Sequence, residues 1–364
     1  MRYLFSIIIL LLLSTCTKQQ VDSVRASNKV PEVKNIILLI GDGMGVTQIT
    51  AGMYMNGNTL NLERCKVVGL HKSTASNNLV TDSAAGATAF ACGKKTYNGA
   101  IGVGPDKQPI KTILEYAEEK GLATGLVATS TITHATPASF IAHVEQRKMM
   151  EAIAADFMKT EVDLFIGGGK KYFDNRDDSR NLSNELREKG YFISDFVTDD
   201  LTTLELPKDK NVGYFTANDN PLPAYQGRDY IGMATEKAIN YLDQKNDDGF
   251  FLMVEGSQID WGGHANNSDY IISEVIDFDK AVKAALDFAE KDGNTLVVIT
   301  ADHETGGYAI NKGSTMDSLV TAFTTDYHTA DLIPVFAFGP KAADFGGIYE
   351  NTAIFDKMMK ALFH

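Results

Sequence analysis

At 364 residues, 44% hydrophobic and 22% charged, the chain is long enough for one large α/β domain with a sizeable core, and its composition excludes disordered, collagen-like and repeat classes. A formal net charge of −13, with no Lys/Arg run or aromatic-interleaved basic stripe to offset it, excludes nucleic acid as a specific partner.

The chain opens on a targeting signal. Arg2, the apolar run Ile7 to Leu13 and then Leu13-Ser14-Thr15-Cys16 resemble a bacterial lipoprotein signal with its lipobox, residues 1–16, and the run is too short to span a membrane. Cys16 is then the lipidation site, residues 17–31 a polar tether, and 32–364 the catalytic domain. An ordinary cleaved secretory signal is the alternative. Both predict export to the periplasm or cell envelope. Cys65 and Cys92 remain; a disulfide between them is open, and both are read as structural.

Six short runs rich in Ile, Val and Leu predict buried parallel strands: Val33–Ile40, Ala123–Thr129, Val162–Ile166, Phe250–Val254, Thr295–Thr300 and Ile333–Phe338. Helical patterns lie between them over Ile110–Lys120, Met149–Lys159, Tyr230–Gln244 and Ser273–Lys291. The alternation predicts a doubly wound α/β sandwich, a central and mostly parallel sheet flanked by helices. The polar stretch Asp174–Pro223 reads as a peripheral insertion or irregular excursion. Gly167-Gly168-Gly169-Lys170 lacks the spacing of a P-loop and reads as a strand-to-loop turn.

Ligands in open α/β sheets bind beyond the carboxyl ends of strands. Four of the predicted strand ends carry metal-type side chains: Asp42, then His134 with Thr136, then Glu255, then Asp302 with His303. Imidazole, carboxylate and glycine recur in Glu255 to His264 and around His328, the ligand set of a catalytic zinc. Asp260 and His264 have the four-residue spacing of one helical face, but Gly262-Gly263 between them argues for a loop. Ser83 follows Asp82, a good N-cap, so its hydroxyl stands at a helix N-terminus that can receive phosphate.

Together these segments resemble the alkaline phosphatase family. The resemblance rests on Thr81 to Ala89, Gly41 to Gly45, Thr133 to Pro137, Ala142 to Arg147, Glu255 to His264, Thr300 to Glu304 and His328 to Ala330, in order from about Val33 to the C-terminus. It implies a phosphate-monoester hydrolase with a phosphoserine intermediate at Ser83 and Arg147 gripping two phosphate oxygens. It implies one zinc on Asp260, His264 and His328, a second on Asp42, Asp302 and His303 with Ser83 beside it, and a magnesium on Asp42, Thr136 and Glu255. His134 and Trp261 depart from the enteric pattern and are placed in the outer shell of the third metal; His143 is expected to face the packing side. Three divalent cations, four carboxylates and Arg147 leave roughly +3, matched by a phosphate dianion and a serine alkoxide. The alternatives are a phosphodiesterase or sulfatase of the same superfamily, or a metal-dependent phosphate-binding lipoprotein without turnover. Only 24 residues separate His303 from His328, too few for a large crown insertion, so a monomer or a crown-less homodimer is expected.

Overall fold

The computed structural model describes residues 32–245 and 247–363. Cys16, the lipobox and the 17–31 tether lie outside the described residues. Fourteen strands form in chain order: β1 (Asn35–Gly41), β2 (Val67–Lys72), β3 (Ala123–Thr131), β4 (Leu164–Gly168), β5 (Phe192–Asp195), β6 (Val212–Phe215), β7 (Phe250–Gly256), β8 (Thr295–Thr300), β9 (Glu304–Thr305), β10 (Ala309–Ile310), β11 (Thr321–Ala322), β12 (His328–Thr329), β13 (Leu332–Phe338) and β14 (Gly347–Glu350). The principal helices are α1 (Val46–Met55), α2 (Ser83–Cys92), α3 (Ile113–Glu119), α4 (Ile231–Asp243), α5 (Gln258–His264), α6 (Ser268–Asp292) and α7 (Thr352–Phe363).

Ten strands make one sheet in the order β14-β2-β13-β8-β1-β7-β3-β4-β6-β5. Strand β1 sits inside it, parallel to β7 and β8, and alternate residues feed opposite layers. Ile36, Leu38 and Ile40 join the core under α2, α3 and α7, whereas Ile37 and Leu39 join the core under α1, α4 and α6. Burial on both faces is why these strands read as continuous apolar runs. Among the described residues no helix is long and apolar enough to cross a membrane.

Three expectations change. The apolar content of Ile333–Phe338 predicts a parallel strand, but β13 runs antiparallel to both β2 and β8; a buried apolar run carries no record of its direction. The Asp174–Pro223 stretch is no irregular excursion, because it supplies β5 and β6, which extend the parallel sheet beyond β4. Those strands are four residues long and separated by an Asp- and Lys-rich loop, so their pattern was hidden. Gly213 in β6 lies against the Phe165 ring, where a Cβ would approach Cζ to 2.2 Å. Third, Asp260 and His264 are on a helix, α5, not a loop. A Cβ at Gly262 would come within 2.8 Å of the Ile271 nitrogen, and one at Gly263 within 2.7 Å of the Thr305 carbonyl. These glycines let α5 pack closely against its neighbours.

The interval between His303 and His328 holds two short antiparallel ladders, β9 with β12 and β10 with β11, and no crown. Cys65 and Cys92 are both buried and free.

Candidate metal and phosphate centre

The carboxyl ends of β1, β3, β7 and β8 meet over the N-terminus of α2. Asp42 leaves β1 with its amide donating to the Gly256 carbonyl at the end of β7 (3.1 Å), and the Gly43 amide donates to Asp302 Oδ1 beyond β8 (3.2 Å). Gly43 has a positive φ of 72° and lies so close to α5 that a Cβ would meet Asp260 Cα at 2.7 Å. Glycine is needed there for both reasons.

Among the described residues three groups of ligand-type atoms result, each with its atoms within 4.8 Å of one another: Asp260, His264 and His328; Asp42, Asp302 and His303; Asp42, His134 and Glu255. In the first, His264 Nδ1 is 2.6 Å from the Asp326 carbonyl and His328 Nδ1 is 2.8 Å from the Thr81 carbonyl. Those acceptors assign the ring protons to Nδ1. Both Nε2 lone pairs then point at each other across 3.1 Å and toward Asp260 Oδ1, at 3.4 and 3.6 Å. Two imidazole acceptors facing each other with no donor between them, beside a carboxylate oxygen, fit a cation.

In the second group His303 Nε2 lies 3.2 Å from Asp302 Oδ2 and 3.5 Å from Asp42 Oδ1. Ser83, the first residue of α2, points its hydroxyl into this group, 3.4 Å from Asp42 Oδ1 and 3.3 Å from His303 Nε2. This is no Ser-His-Asp relay: the other ring nitrogen of His303 meets the Thr305 hydroxyl at 3.2 Å, and burial holds the imidazole well below its usual pKa. In the third group, Asp42 Oδ2, Glu255 Oε1, Thr136 Oγ1 and His134 Nδ1 are buried without a hydrogen-bond partner, as atoms reserved for a metal would be. His134, placed by the sequence in the outer shell, comes within ligand reach here because its ring is turned inward beside Glu255. Trp261 stands edge-on to it, ring centroids 5.8 Å apart.

The electrostatics agree. Burial and then the neighbouring carboxylates raise Asp42 well above the carboxylate range, and burial lifts Asp302 and Glu255 to about 7. Such a cluster favours protons or cations over bare charge. Arg147 borders the carboxylates, and its Nη1 donates to Asp82 Oδ2 at 3.2 Å. Asp82 Oδ1 meanwhile accepts from the amides of Ala85 (3.0 Å) and Gly99 (3.1 Å). The residue expected only to cap the helix therefore also aims the guanidinium. His143 faces away as expected, toward the Gly102 carbonyl (2.7 Å) and Glu115 (3.1 Å).

Sequence reasoning missed the residues that hold the ligands. Ser130 and Ser257 donate to Glu255 Oε2, and Thr305 donates to Asp260 Oδ1 at 2.5 Å. Their only signal was position, next to a ligand in sequence or at the end of β3.

The alkaline phosphatase family profile matches residues 33–322. The chain belongs to the alkaline phosphatase family. Alkaline phosphatase 3 of Bacillus subtilis is 37% identical over 91% of this chain and 89% of its own length. The alkaline phosphatase of the Antarctic bacterium TAB5 superposes with a TM-score of 0.85 at 45% identity, covering 92% of this chain and 99% of that one. A variant of that enzyme with one histidine changed to aspartate carries magnesium in its M3 site. The protein is accordingly an enzyme of this family, a metal-binding phosphatase, and its sandwich, which carries no large crown, matches the fold of its structural relatives.

Proposed function

We propose that the protein hydrolyses phosphate monoesters through a phosphoserine at Ser83. The observation that carries the reading is the Ser83 hydroxyl at the capped N-terminus of α2, within 3.4 Å of Asp42 and His303, with the capping Asp82 also holding Arg147. Asp260, His264 and His328 would hold one zinc; Asp42, Asp302 and His303 a second; Asp42, Thr136 and Glu255, with His134 beside them, a magnesium. When bound, these ions supply Lewis acidity at the serine and leaving-group oxygens and offset the buried carboxylates.

The chain's own residues do the rest. Free amides at the start of α2 and its dipole receive the phosphoryl group in front of Ser83. Arg147, oriented by Asp82, offers a planar fork to two phosphoryl oxygens, a geometry lysine lacks. Ser83 Oγ attacks phosphorus as the ester oxygen departs on the opposite side, and the proton that Ser83 gives up ends on the departing alcohol; water then displaces Ser83, returning one proton to it and leaving hydrogen phosphate. The fork favours a dianionic monoester over a monoanionic diester or a sulfate ester.

Turnover of p-nitrophenyl phosphate but not bis-p-nitrophenyl phosphate, with acid-stable phosphate trapped on the chain and lost in Ser83→Ala, tests the reading. Trapping in Ser83→Ala, or preference for the diester, would defeat it. We also propose export with lipidation at Cys16 and 17–31 as a tether; Cys16→Ser should then leave the membrane fraction. Equal partitioning of mutant and parent would remove that anchor.

A further inference from the structure

The two zinc-type triads have unequal support. Asp42, Asp302 and His303 project from adjacent core strands, β1 and β8, locked by a continuous parallel register. Asp260 and His264 come from α5, but His328 comes from β12, two residues long and paired only with β9: His328 opposite Thr305, Thr329 opposite Glu304. A two-residue ladder cannot by itself hold a ligand to the few tenths of an ångström a metal requires.

The Thr81 carbonyl fixes the His328 ring at Nδ1 (2.8 Å), but the further support of its backbone converges on one side chain that the mechanism does not use. Glu304, 4% exposed, accepts four hydrogen bonds. Gln48 Nε2 of α1 donates to its Oε1 at 2.6 Å, and the Tyr308 amide to the same oxygen at 3.1 Å. The Gly307 amide donates to Oε2 at 3.1 Å, joined there by the Thr329 hydroxyl. Gln48 also donates to the Thr305 carbonyl at 2.9 Å. Room is made for this carboxylate: a Cβ on Gly45 would meet its Cγ at 2.5 Å. Gly45 and Gln48 follow Asp42, Glu304 follows His303, and Thr329 follows His328. One carboxylate thus ties together three segments that carry ligands of both triads. All four partners are neutral donors, so the arrangement consumes a carboxylate's full accepting capacity.

We propose that Glu304 is a positioning residue that sets the place of His328, and hence the separation of the two zinc sites, by holding β12, the 305–308 turn and α1 to one anchor. The inference rests on the reading of the two triads as zinc sites. Losing such an outer partner lowers metal affinity by roughly 10–100-fold. The loss should fall on the Asp260–His264–His328 site, since the other triad keeps its strand register.

The test uses the zinc-loaded full domain in competition with a chromogenic chelator, reading the two zinc ions as separate release steps. Glu304→Gln replaces one acceptor oxygen with an amide that faces the Gly307 N–H, and should release one zinc about 10–100-fold more readily while the second stays near parent values. Thr329→Val removes one donor and should shift the same step less; Thr329→Ser should behave as parent. Excess zinc should restore turnover to Glu304→Gln. Parent-like release in Glu304→Gln, or an equal shift of both steps, overturns the proposal, and Thr329→Val decides it if the Glu304 variants fail to fold. His328→Ala separates this failure from failure of the underlying reading: if that variant still holds both zinc ions tightly, the triads are not zinc sites, whatever Glu304 does.

Discussion

Asp82 serves two devices with its two oxygens: Oδ1 caps α2 and receives Gly99, while Oδ2 holds Arg147. Separate variants divide them. Asp82→Asn keeps the capping acceptor and should lose less than about 1 kcal/mol of stability, whereas Asp82→Ala removes the cap and should lose about 1 kcal/mol or somewhat more, read by urea unfolding. Arg147→Ala should lower kcat/KM for p-nitrophenyl phosphate by roughly 10²–10³-fold and weaken competitive inhibition by inorganic phosphate in parallel. Unchanged phosphate inhibition would remove Arg147 from the cradle. The clusters of ligand-type side chains were legible in the sequence because imidazole and carboxylate beyond a strand end are conspicuous and recur. Their supports were not: Ser130, Ser257 and Thr305 are ordinary hydroxyl residues until the fold brings them beside Glu255 and Asp260.

Among the elements, the central strands were legible and the edges were not. Strands β1, β3, β7 and β8 are buried on both faces and announce themselves by apolar content, while β2 and β14 border solvent, with Val68 53% and Ile348 64% exposed. Helix α3 was legible within three residues, and its start is fixed by Thr112 and Glu115 in a reciprocal capping box. The β4-β6-β5 end is held by aromatic packing that no period in the sequence reports. Phe165 and Phe173 stack with centroids 6.0 Å apart, and Phe215 contacts Phe173 at 4.8 Å and Phe165 at 5.6 Å. Phe215→Ala should therefore destabilise the domain by about 3–5 kcal/mol, as for other fully buried phenylalanines. A loss under 1 kcal/mol would mean that this end folds independently of the sheet.

At the scale of the whole molecule, a chain of net charge −13 buries Asp42, Glu255, Asp260 and Asp302 together beyond its central strands. Without metal, burial raises Asp302 and Glu255 to about 7, Asp42 well above the carboxylate range, and Glu118, remote from the site, to about 8. Unfolded, these groups titrate near their ordinary values, about 4. Between those limits the folded chain holds protons that the unfolded chain has released, so each carboxyl contributes stability at low pH that is lost as pH rises through its folded pKa. Buried histidines oppose this. Burial lowers His71 to about 4, His134 to about 3, and His303 and His328 below 6.5, so their contribution is present above the unfolded value of 6.5 and lost toward acid. The two sets work against each other below about pH 6.5; above it the carboxyl set remains, joined by His143, raised against the opposing effect of burial by Glu115 and the Gly102 carbonyl. Denaturant midpoints of the chelated protein should therefore fall between about pH 6.5 and 8. A metal held by Asp42, Asp302 and Glu255 would discharge those protons, so in the loaded protein the Glu118 and His143 parts of the fall should survive, and Glu118→Gln should remove the first. A chelated protein whose midpoint is flat or rising across that window, or a loaded one that falls just as steeply, would show that the carboxylate cluster is not what metal binding relieves.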